Sequence, residues 1–361
     1  MVEKMNGLSR EFIIHPGETL KEILDDKAMS QRELAVRTGV TEPHISSVVN
    51  GQKAISVSFA KKLDYALDID SVFWINLQAN YDKELADFEE INAISSEELE
   101  ILKPLSGIVE HLKENSFIET EMYGVILVVQ LRKLLNVSNL MQIPRVSQLG
   151  AYRLATANDV NPYVLFTWLR MCDLIVENQK INEKLDVDRL IKIIPLIKEL
   201  MHEEVANIQP RLKNYFAECG IKFSIVKNFR GAPVQGVIKE NEDGTLSLIM
   251  TTRRKFADIF WFTLFHEIGH IINDDIDKKL IDYDFAEGEA EHKADKFASD
   301  TLIDADRYFE FVKASEFTKN SIDEFSAENG IPSYVLIGRL QKDEHIAYHR
   351  YSSEKVKYNL G

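Results

Sequence analysis

The stretch "FWFTLFHEIGHIIND", residues 260–274, contains two histidines four positions apart, with a glutamate directly after the first. On an α-helix this spacing puts His266 and His270 on one face, about 5–6 Å apart at Cβ, so both imidazoles can converge on one ion. Glu267 borders the same face. Imidazole nitrogens are common Zn²⁺ ligands, and a neighbouring carboxylate can act as a general base. The alternative is a pair of core histidines on a buried helix.

A catalytic zinc site needs three protein ligands, so this hypothesis requires another ligand elsewhere in the chain. The segment "EGEAEHKADKFASD", residues 287–300, continues an apolar stripe at helical spacing. The stripe consists of Ala286, Ala290, Ala294, Phe297 and Ala298. Glu291 lies on its flank and can supply the third ligand, whereas His292, the competing candidate, faces away. Asp295, one turn later, can accept the second N–H of a ligating histidine and fix its tautomer.

The segment "SQRELAVRTGVTEPHISSVVNG", residues 30–51, has the pattern of a helix-turn-helix. Ser30 and Thr41 are predicted to cap the two helices, and Gly39 suits the turn between them. The apolar positions of the second helix leave its first turn exposed, so this helix can enter a major groove; these positions are Ile45, Val48 and Val49. A helical module used only for dimerisation is the alternative.

The exposed N-terminal face of this second helix offers six residues for contacts with DNA, namely Thr41, Glu42, Pro43, His44, Ser46 and Ser47. Gln31, at the start of the preceding helix, could reach a phosphate or a base. Residues 29–62 carry two arginines and three lysines against two glutamates, a net charge of +3. This charge permits DNA binding but does not predict tight binding.

The remaining pattern indicates a mainly α protein with a small antiparallel sheet, of the α+β class. Five helices are expected within residues 12–88, a helical connector within 89–204, and a zincin-like domain within 205–345. Near the start of this last domain, "IKFSIVKNF" alternates as a strand does, and "VQGVIKEN" and "LSLIMTT" follow as further predicted strands. The segment "ENEDGTL" predicts a turn between the second and third.

Composition restricts where the protein acts and what it contacts. A net charge of −15 argues against the whole chain binding nucleic acid or an anionic membrane, so any DNA contact is expected to be local. We expect no membrane span and no signal peptide, and hence a cytoplasmic protein. Cys172 and Cys219 lack paired metal or redox spacing and are predicted to pack in the core.

The N-terminal segments "HPGETLKEIL", "SQRELAVRTGVTEPHISSVVNGQKAIS" and "FWINLQANYD" resemble the phage-repressor (XRE) type of helix-turn-helix, in its antitoxin-like (HigA-like) branch. The resemblance covers roughly residues 12–85 and implies a homodimer on a palindromic operator in double-stranded DNA. Carried over by position, the implied DNA contacts are Gln31, Thr41, Glu42, His44, Ser46 and Asn50. Glu42 departs from the neutral polar residue often found at its position.

The segment "HEIGH" followed by "EHKADKFA" is similar to the gluzincin pattern. Together with the preceding strands and "IPSYVLIGRLQ", it resembles the ImmA/IrrE family of bacterial metallopeptidases over roughly residues 205–342. The resemblance implies that His266, His270 and Glu291 hold Zn²⁺ and that Glu267 is the general base. It also implies a protein substrate of the repressor or antitoxin type.

Two classes of function follow from these patterns. In the first, the chain is an active zinc metallo-endopeptidase whose DNA-binding head brings it to a promoter or to a DNA-bound substrate. In the second, it is a transcriptional regulator or antitoxin whose zinc domain is a non-catalytic sensor or dimerisation module. The complete ligand set with Glu267 present favours the first class.

Overall fold

The computed structural model describes residues 10–149, 160–251, 253, 255–275, 279–283 and 288–358. Backbone contacts divide these residues into two compact units. The first contains residues up to Leu99 together with Tyr123–Val129, and the second contains Glu100–Met122 and the residues from Gln130 onward. The α+β class is confirmed, and the three predicted domain ranges stay a prediction. No helix in the described ranges is both long enough and apolar enough to span a membrane.

The first unit contains the five predicted helices. They are α1 (Pro16–Asp26), α2 (Gln31–Thr38), α3 (Glu42–Val49), α4 (Val57–Leu67) and α5 (Ser71–Asn92). Ser30 caps α2 as predicted, because its hydroxyl accepts a hydrogen bond from the Glu33 amide at 3.1 Å. Gly39 ends this helix in the left-handed conformation, with φ of 64°, which favours glycine.

The predicted side-chain cap at Thr41 is wrong. Thr41 has the extended backbone of a capping residue, but its hydroxyl accepts no hydrogen bond from the first turn of α3. Pro43 has no N–H to donate, and the His44 amide donates to the Thr41 carbonyl at 3.0 Å instead. Among the described residues, the Thr41 hydroxyl therefore takes no part in capping α3.

The core of the first unit brings α3 close to α1. Ile45, Val48 and Val49 are buried as predicted. Gly17 lies against the backbone of α3, since a Cβ at that position would be 2.0 Å from the Val48 carbonyl oxygen. This packing buries one face of α3 and leaves its first turn at the surface, where Thr41, Glu42 and Pro43 are exposed.

The second unit begins with helices, in agreement with the predicted helical periodicity. Between Ser96 and Ala217 the helices are α6 (Ser96–Glu100), α7 (Leu102–Glu114), α8 (Gly124–Leu134), α9 (Ile143–Leu149), α10 (Pro162–Glu177), α11 (Val187–Glu199) and α12 (Val205–Ala217), of which α6 and α8 begin in the first unit. Residues 150–159 of the predicted connector lie outside the described residues. Cys172 and Cys219 are both buried, as predicted.

A four-stranded sheet follows, in the order β1-β3-β2-β4. The strands are β1 (Ile221–Val226), β2 (Val234–Glu240), β3 (Leu246–Thr251) and β4 (Lys279–Tyr283). The predicted hairpin between β2 and β3 is confirmed, and Gly244 lies in its turn with φ of 80°. The sheet is not antiparallel throughout, because β1 pairs in parallel with β3. β3 inserts between β1 and β2, and the reversal in the hairpin turns it parallel to β1.

The remaining helices include the one that contains the quoted stretch, α13. They are α13 (Ala257–Asn273), α14 (Glu289–Leu302), α15 (Ala305–Ala314), α16 (Lys319–Glu328) and α17 (Ser333–Lys342). Gly269 lets α14 approach α13 closely, since a Cβ there would lie 3.1 Å from the Cα of Ala294. Ala294 and Ala298 of the predicted stripe are buried, whereas Ala286 lies outside the described residues.

Candidate metal centre and helix-turn-helix surface

The structure brings the three predicted metal ligands together at the contact between α13 and α14. The Nε2 atoms of His266 and His270 lie 3.1 Å apart. Oε2 of Glu291 lies 3.1 Å from Nε2 of His266 and 3.6 Å from Nε2 of His270. Two imidazole nitrogens and one carboxylate oxygen therefore point at a common centre, and this donor set matches the ligands that Zn²⁺ prefers. His292, the competing ligand, is exposed and lies outside this group.

Carboxylates hold the other nitrogen of each imidazole ring. Nδ1 of His266 lies 2.9 Å from Oδ1 of Asp295, which is the contact predicted for Asp295. Nδ1 of His270 lies 2.8 Å from Oδ1 of Asp275. A carboxylate accepts a hydrogen bond from Nδ1–H and so leaves Nε2 as the lone-pair nitrogen that faces the common centre.

Asp275 is a site residue that sequence reasoning missed. It follows the last turn of α13, where Asp274 takes the left-handed conformation with φ of 53° and turns the chain back toward the helix. The Asp275 amide donates to the His270 carbonyl at 3.4 Å, which places its side chain beside the ring. The polar "NDD" after the apolar helix was the available signal, but it also fits an ordinary helix end.

The cluster perturbs the charges of its own members. Hydrogen bonds from His266 and His270 lower the pKa of Glu291 to about 2. Burial lowers the pKa of His270, but hydrogen bonds to Glu291 and Asp275 and the charge of Glu267 outweigh burial, so the pKa is raised overall. The hydrogen bond from His266 is the main cause of the lowered pKa of Asp295. Without a metal, the carboxylates therefore favour a charged His270.

Glu267 is fully buried, with 0% of the residue exposed, and lies against β2. Gly236 makes room for it, since a Cβ on this glycine would lie 1.8 Å from Oε1 of Glu267. Its charge helps to raise the pKa of His270, so the carboxylate is within electrostatic range of the cluster. Gly236 was also missed, although a glycine inside a strand often marks such a close approach.

A cavity of about 370 Å³ adjoins the cluster between α13, α14 and α17. Its apolar wall is formed by Ile259, Phe262, Leu302, Ile303 and Val335. His266 and Glu291 line one part, and Glu267 is not among the described residues that line it. Elsewhere the lining includes a buried ion pair, in which Nζ of Lys355 lies 2.7 Å from Oδ2 of Asp258. This volume lies within the usual range of small-ligand pockets, which is roughly 300–1,000 Å³.

The predicted DNA contacts all lie on α2, α3 or their flanking residues. Thr41, Glu42 and Asn50 are exposed, whereas Gln31, His44 and Ser46 are half-buried. The His44 ring meets the Phe59 ring edge to face at 5.1 Å between centroids. Nδ2 of Asn50 donates to Oγ of Ser46 at 3.2 Å. These local contacts restrain the side chains of His44, Ser46 and Asn50.

Comparison with known proteins finds likenesses to short helix-turn-helix and antitoxin proteins. A family model described as helix-turn-helix, HTH_3, matches residues 20–74. Virulence-associated protein A' of Dichelobacter nodosus is 39% identical over 69 residues, which are 19% of this chain and only 60% of that relative. Virulence-associated protein I of the same organism is 34% identical over 84 residues, 22% of this chain and 78% of that relative.

A solved structure of the Pseudomonas aeruginosa antitoxin HigA with the higBA promoter is 33% identical. The alignment covers 23% of this chain and 96% of that one, with a TM-score of 0.21. The match to virulence-associated protein I covers more than two thirds of that relative at 34% identity. Through its N-terminal helices, the chain therefore belongs to the helix-turn-helix family HTH_3.

Proposed function

We propose that this protein is a DNA-binding zinc metallopeptidase of the ImmA/IrrE type, which controls gene expression by hydrolysing a peptide bond in a repressor or antitoxin-type protein. The observation that carries the proposal is the convergence of His266, His270 and Glu291, with Nδ1 of each histidine held by a carboxylate. Three protein ligands leave a coordination position open, as in catalytic rather than structural zinc sites.

The residues around this centre have separate roles in the proposal. Zn²⁺ held there would supply Lewis-acid activation of water and of a peptide carbonyl. Asp295 and Asp275 keep both imidazole rings oriented through Nδ1. Glu267 takes a proton from the attacking water as general base. The adjoining cavity, with its apolar wall, holds part of the substrate chain beside the cluster.

Elemental analysis of purified variants tests the metal site. We expect the parent to contain one zinc ion per chain, and His266→Ala and Glu291→Ala to lose it. His292→Ala is the matched control, because His292 is exposed on the same helix as Glu291. Full zinc occupancy in Glu291→Ala would show that Glu291 is not the third zinc ligand.

Glu267→Gln separates catalysis from metal binding. The amide keeps the size of the side chain but cannot take a proton, and a positioned general base typically contributes ~10²–10⁴ in rate. We expect this variant to retain zinc and to lose hydrolysis, so the substrate protein accumulates in cells. Quantitative proteomics of cells carrying this variant identifies that substrate.

A second candidate function is a transcriptional regulator or antitoxin whose zinc domain is a non-catalytic sensor or dimerisation module. The complete burial of Glu267 against β2 favours this alternative, because a general base must reach water beside the substrate. Unchanged levels of every regulator in Glu267→Gln cells, together with normal induction under DNA damage and other stresses, would support it over the peptidase.

We also propose that the N-terminal helices bind operator DNA as a homodimer, with α3 in the major groove. The helix-turn-helix family match and the exposed first turn of α3 support this assignment. The chain's net charge of −15 restricts the contact to this local surface.

A further inference from the structure

One wall of the cavity beside the metal cluster carries two cations on consecutive turns of one helix. Arg339 and Lys342 of α17 line the same cavity as His266 and Glu291. They are three positions apart, a spacing that puts two side chains on one face of a helix. The third cation of the lining, Lys355, is neutralised by Asp258 in the buried ion pair.

Neighbouring side chains hold Lys342 next to the metal ligands. Its Nζ lies 3.7 Å from the centroid of the Phe262 ring and 3.5 Å from Oδ2 of Asp295. The other oxygen of Asp295 is the one that lies beside Nδ1 of His266. The Lys342 side chain is 49% exposed, so its ammonium group has room for a further ligand.

Neighbouring side chains also fix the position of Arg339. Its Nε lies 2.5 Å from Oδ2 of Asp343, and its guanidinium stacks on the Tyr308 ring at 5.0 Å. Tyr308 also has a side-chain hydrogen bond with the Arg339 guanidinium, so two neighbours fix the orientation of this group. A guanidinium held in this way can still donate its remaining N–H groups to an anion.

We infer that Arg339 and Lys342 form a carboxylate-binding subsite beside the metal cluster, which selects substrates with a carboxylate near the scissile bond. The inference rests on the metal site proposed above. With Zn²⁺ present, the carboxylate of Glu291 would coordinate the metal, and the carboxylate of Asp295 contacts both His266 and Lys342. Arg339 and Lys342 can then both donate to an anion in the cavity. The carboxylate can come from an acidic side chain or from a chain terminus.

Three probes that share one metal-binding group test the subsite. Each is a malonyl hydroxamate, HONH–CO–CH₂–CO–, coupled to one residue: glutamic acid amide, glutamine with a free carboxyl terminus, or glutamine amide. The first has a side-chain carboxylate, the second a terminal carboxylate and the third neither. Calorimetry on the zinc-loaded full chain measures the Kd of each. We expect a carboxylate probe to bind at least tenfold more tightly than the neutral probe, as charge-assisted hydrogen bonds predict. The carboxylate probe that binds more tightly shows whether the subsite prefers an acidic side chain or a chain terminus.

Variants identify the residues responsible. Arg339→Gln and Lys342→Gln should each reduce the preference for the carboxylate several-fold and leave the Kd of the neutral probe unchanged. Lys342→Arg should retain the preference. Lys313→Gln on α15, whose side chain is exposed and outside the cavity lining, is the matched control and should behave like the parent.

Each remaining outcome counts against a specific claim. If both carboxylate probes bind the parent no better than the neutral probe, the subsite is wrong while the metal site stands. If the variants weaken the neutral probe as much as the acidic probes, Arg339 and Lys342 act through Asp295 on the metal ligands, and the subsite is again wrong. If no probe binds the zinc-loaded parent, the metal has no coordination position open to a substrate, and both the peptidase and the subsite are wrong.

Discussion

At the scale of single residues, Asp275 provides a test of how the metal ligands are oriented. Its Oδ1 lies 2.8 Å from Nδ1 of His270, and loss of such a partner typically lowers metal affinity 10–100-fold, roughly. We expect Asp275→Asn to weaken zinc binding by about that factor, measured by competition with a chromogenic chelator. Asp274→Asn is the matched control, because Asp274 is exposed and asparagine tolerates its left-handed backbone. Equal affinity in both variants would exclude a role for Asp275.

Gly236 provides a second test, because its missing side chain makes room for Glu267. A methyl group there would lie 1.8 Å from Oε1 of Glu267, so Gly236→Ala must displace the carboxylate. We expect this variant to retain zinc but to cleave the protein that accumulates in Glu267→Gln cells ~10²–10⁴ times more slowly. Cleavage at the parental rate would show that the buried position of Glu267 is not its catalytic one.

The spacing of single residues allowed part of this site to be predicted. His266 and His270 lie four apart on one helix, and Glu291 with Asp295 lies four apart on another, so helical geometry alone suggested both pairs. Asp275 could not be predicted in the same way, because its contact depends on the left-handed turn at Asp274. The error at Thr41 has a local cause, since the proline two positions later removes one of the amides that a cap would bind.

At the scale of elements, the distance between α13 and α14 sets the ligand geometry, because each helix supplies part of the site. Gly269 permits their close approach, and a Cβ there would lie 3.1 Å from the Cα of Ala294, one turn from Glu291. We expect Gly269→Ala to weaken zinc binding several-fold, since α14 must move by a few tenths of an ångström. Competition with the same chelator measures this change.

Gly107 of α7 is the matched control for that substitution. It also lies inside a helix, but a Cβ there would be 3.4 Å from the Phe229 ring, which is ordinary contact. Alanine favours a helix over glycine by roughly 1 kcal/mol, so Gly107→Ala should raise the free energy of unfolding by up to about that amount and leave zinc affinity unchanged. If both variants bind zinc like the parent, helix separation does not control the site.

At this scale, a contact could be predicted when its two elements are close in sequence and not when they are distant. The β2–β3 hairpin could be predicted because a short turn with glycine joins two alternating segments. The parallel pairing of β1 with β3 could not, because it depends on β3 inserting between β1 and β2. β4 pairs with β2 only after the whole of α13 has intervened, so no local pattern indicated that contact.

At the scale of the whole molecule, the residues proposed to bind DNA and those proposed to bind metal lie in different compact units. The six predicted DNA contacts belong to the first unit, and the metal ligands belong to the second. We expect the two activities to be separable, so that chelation of zinc removes hydrolysis while operator binding persists. Footprinting upstream of the protein's own gene, with and without a chelator, measures this.

The footprint itself has a predicted form. A symmetric dimer should protect two half-sites about one helical turn apart, in the presence and absence of zinc. With a net charge of only +3 over residues 29–62, few phosphate counterions are released, so affinity should fall only modestly as salt increases. A single unpaired half-site would contradict the dimer. Loss of protection on chelation that is restored by added zinc would contradict the independence of the two units, and would favour the sensor over the peptidase.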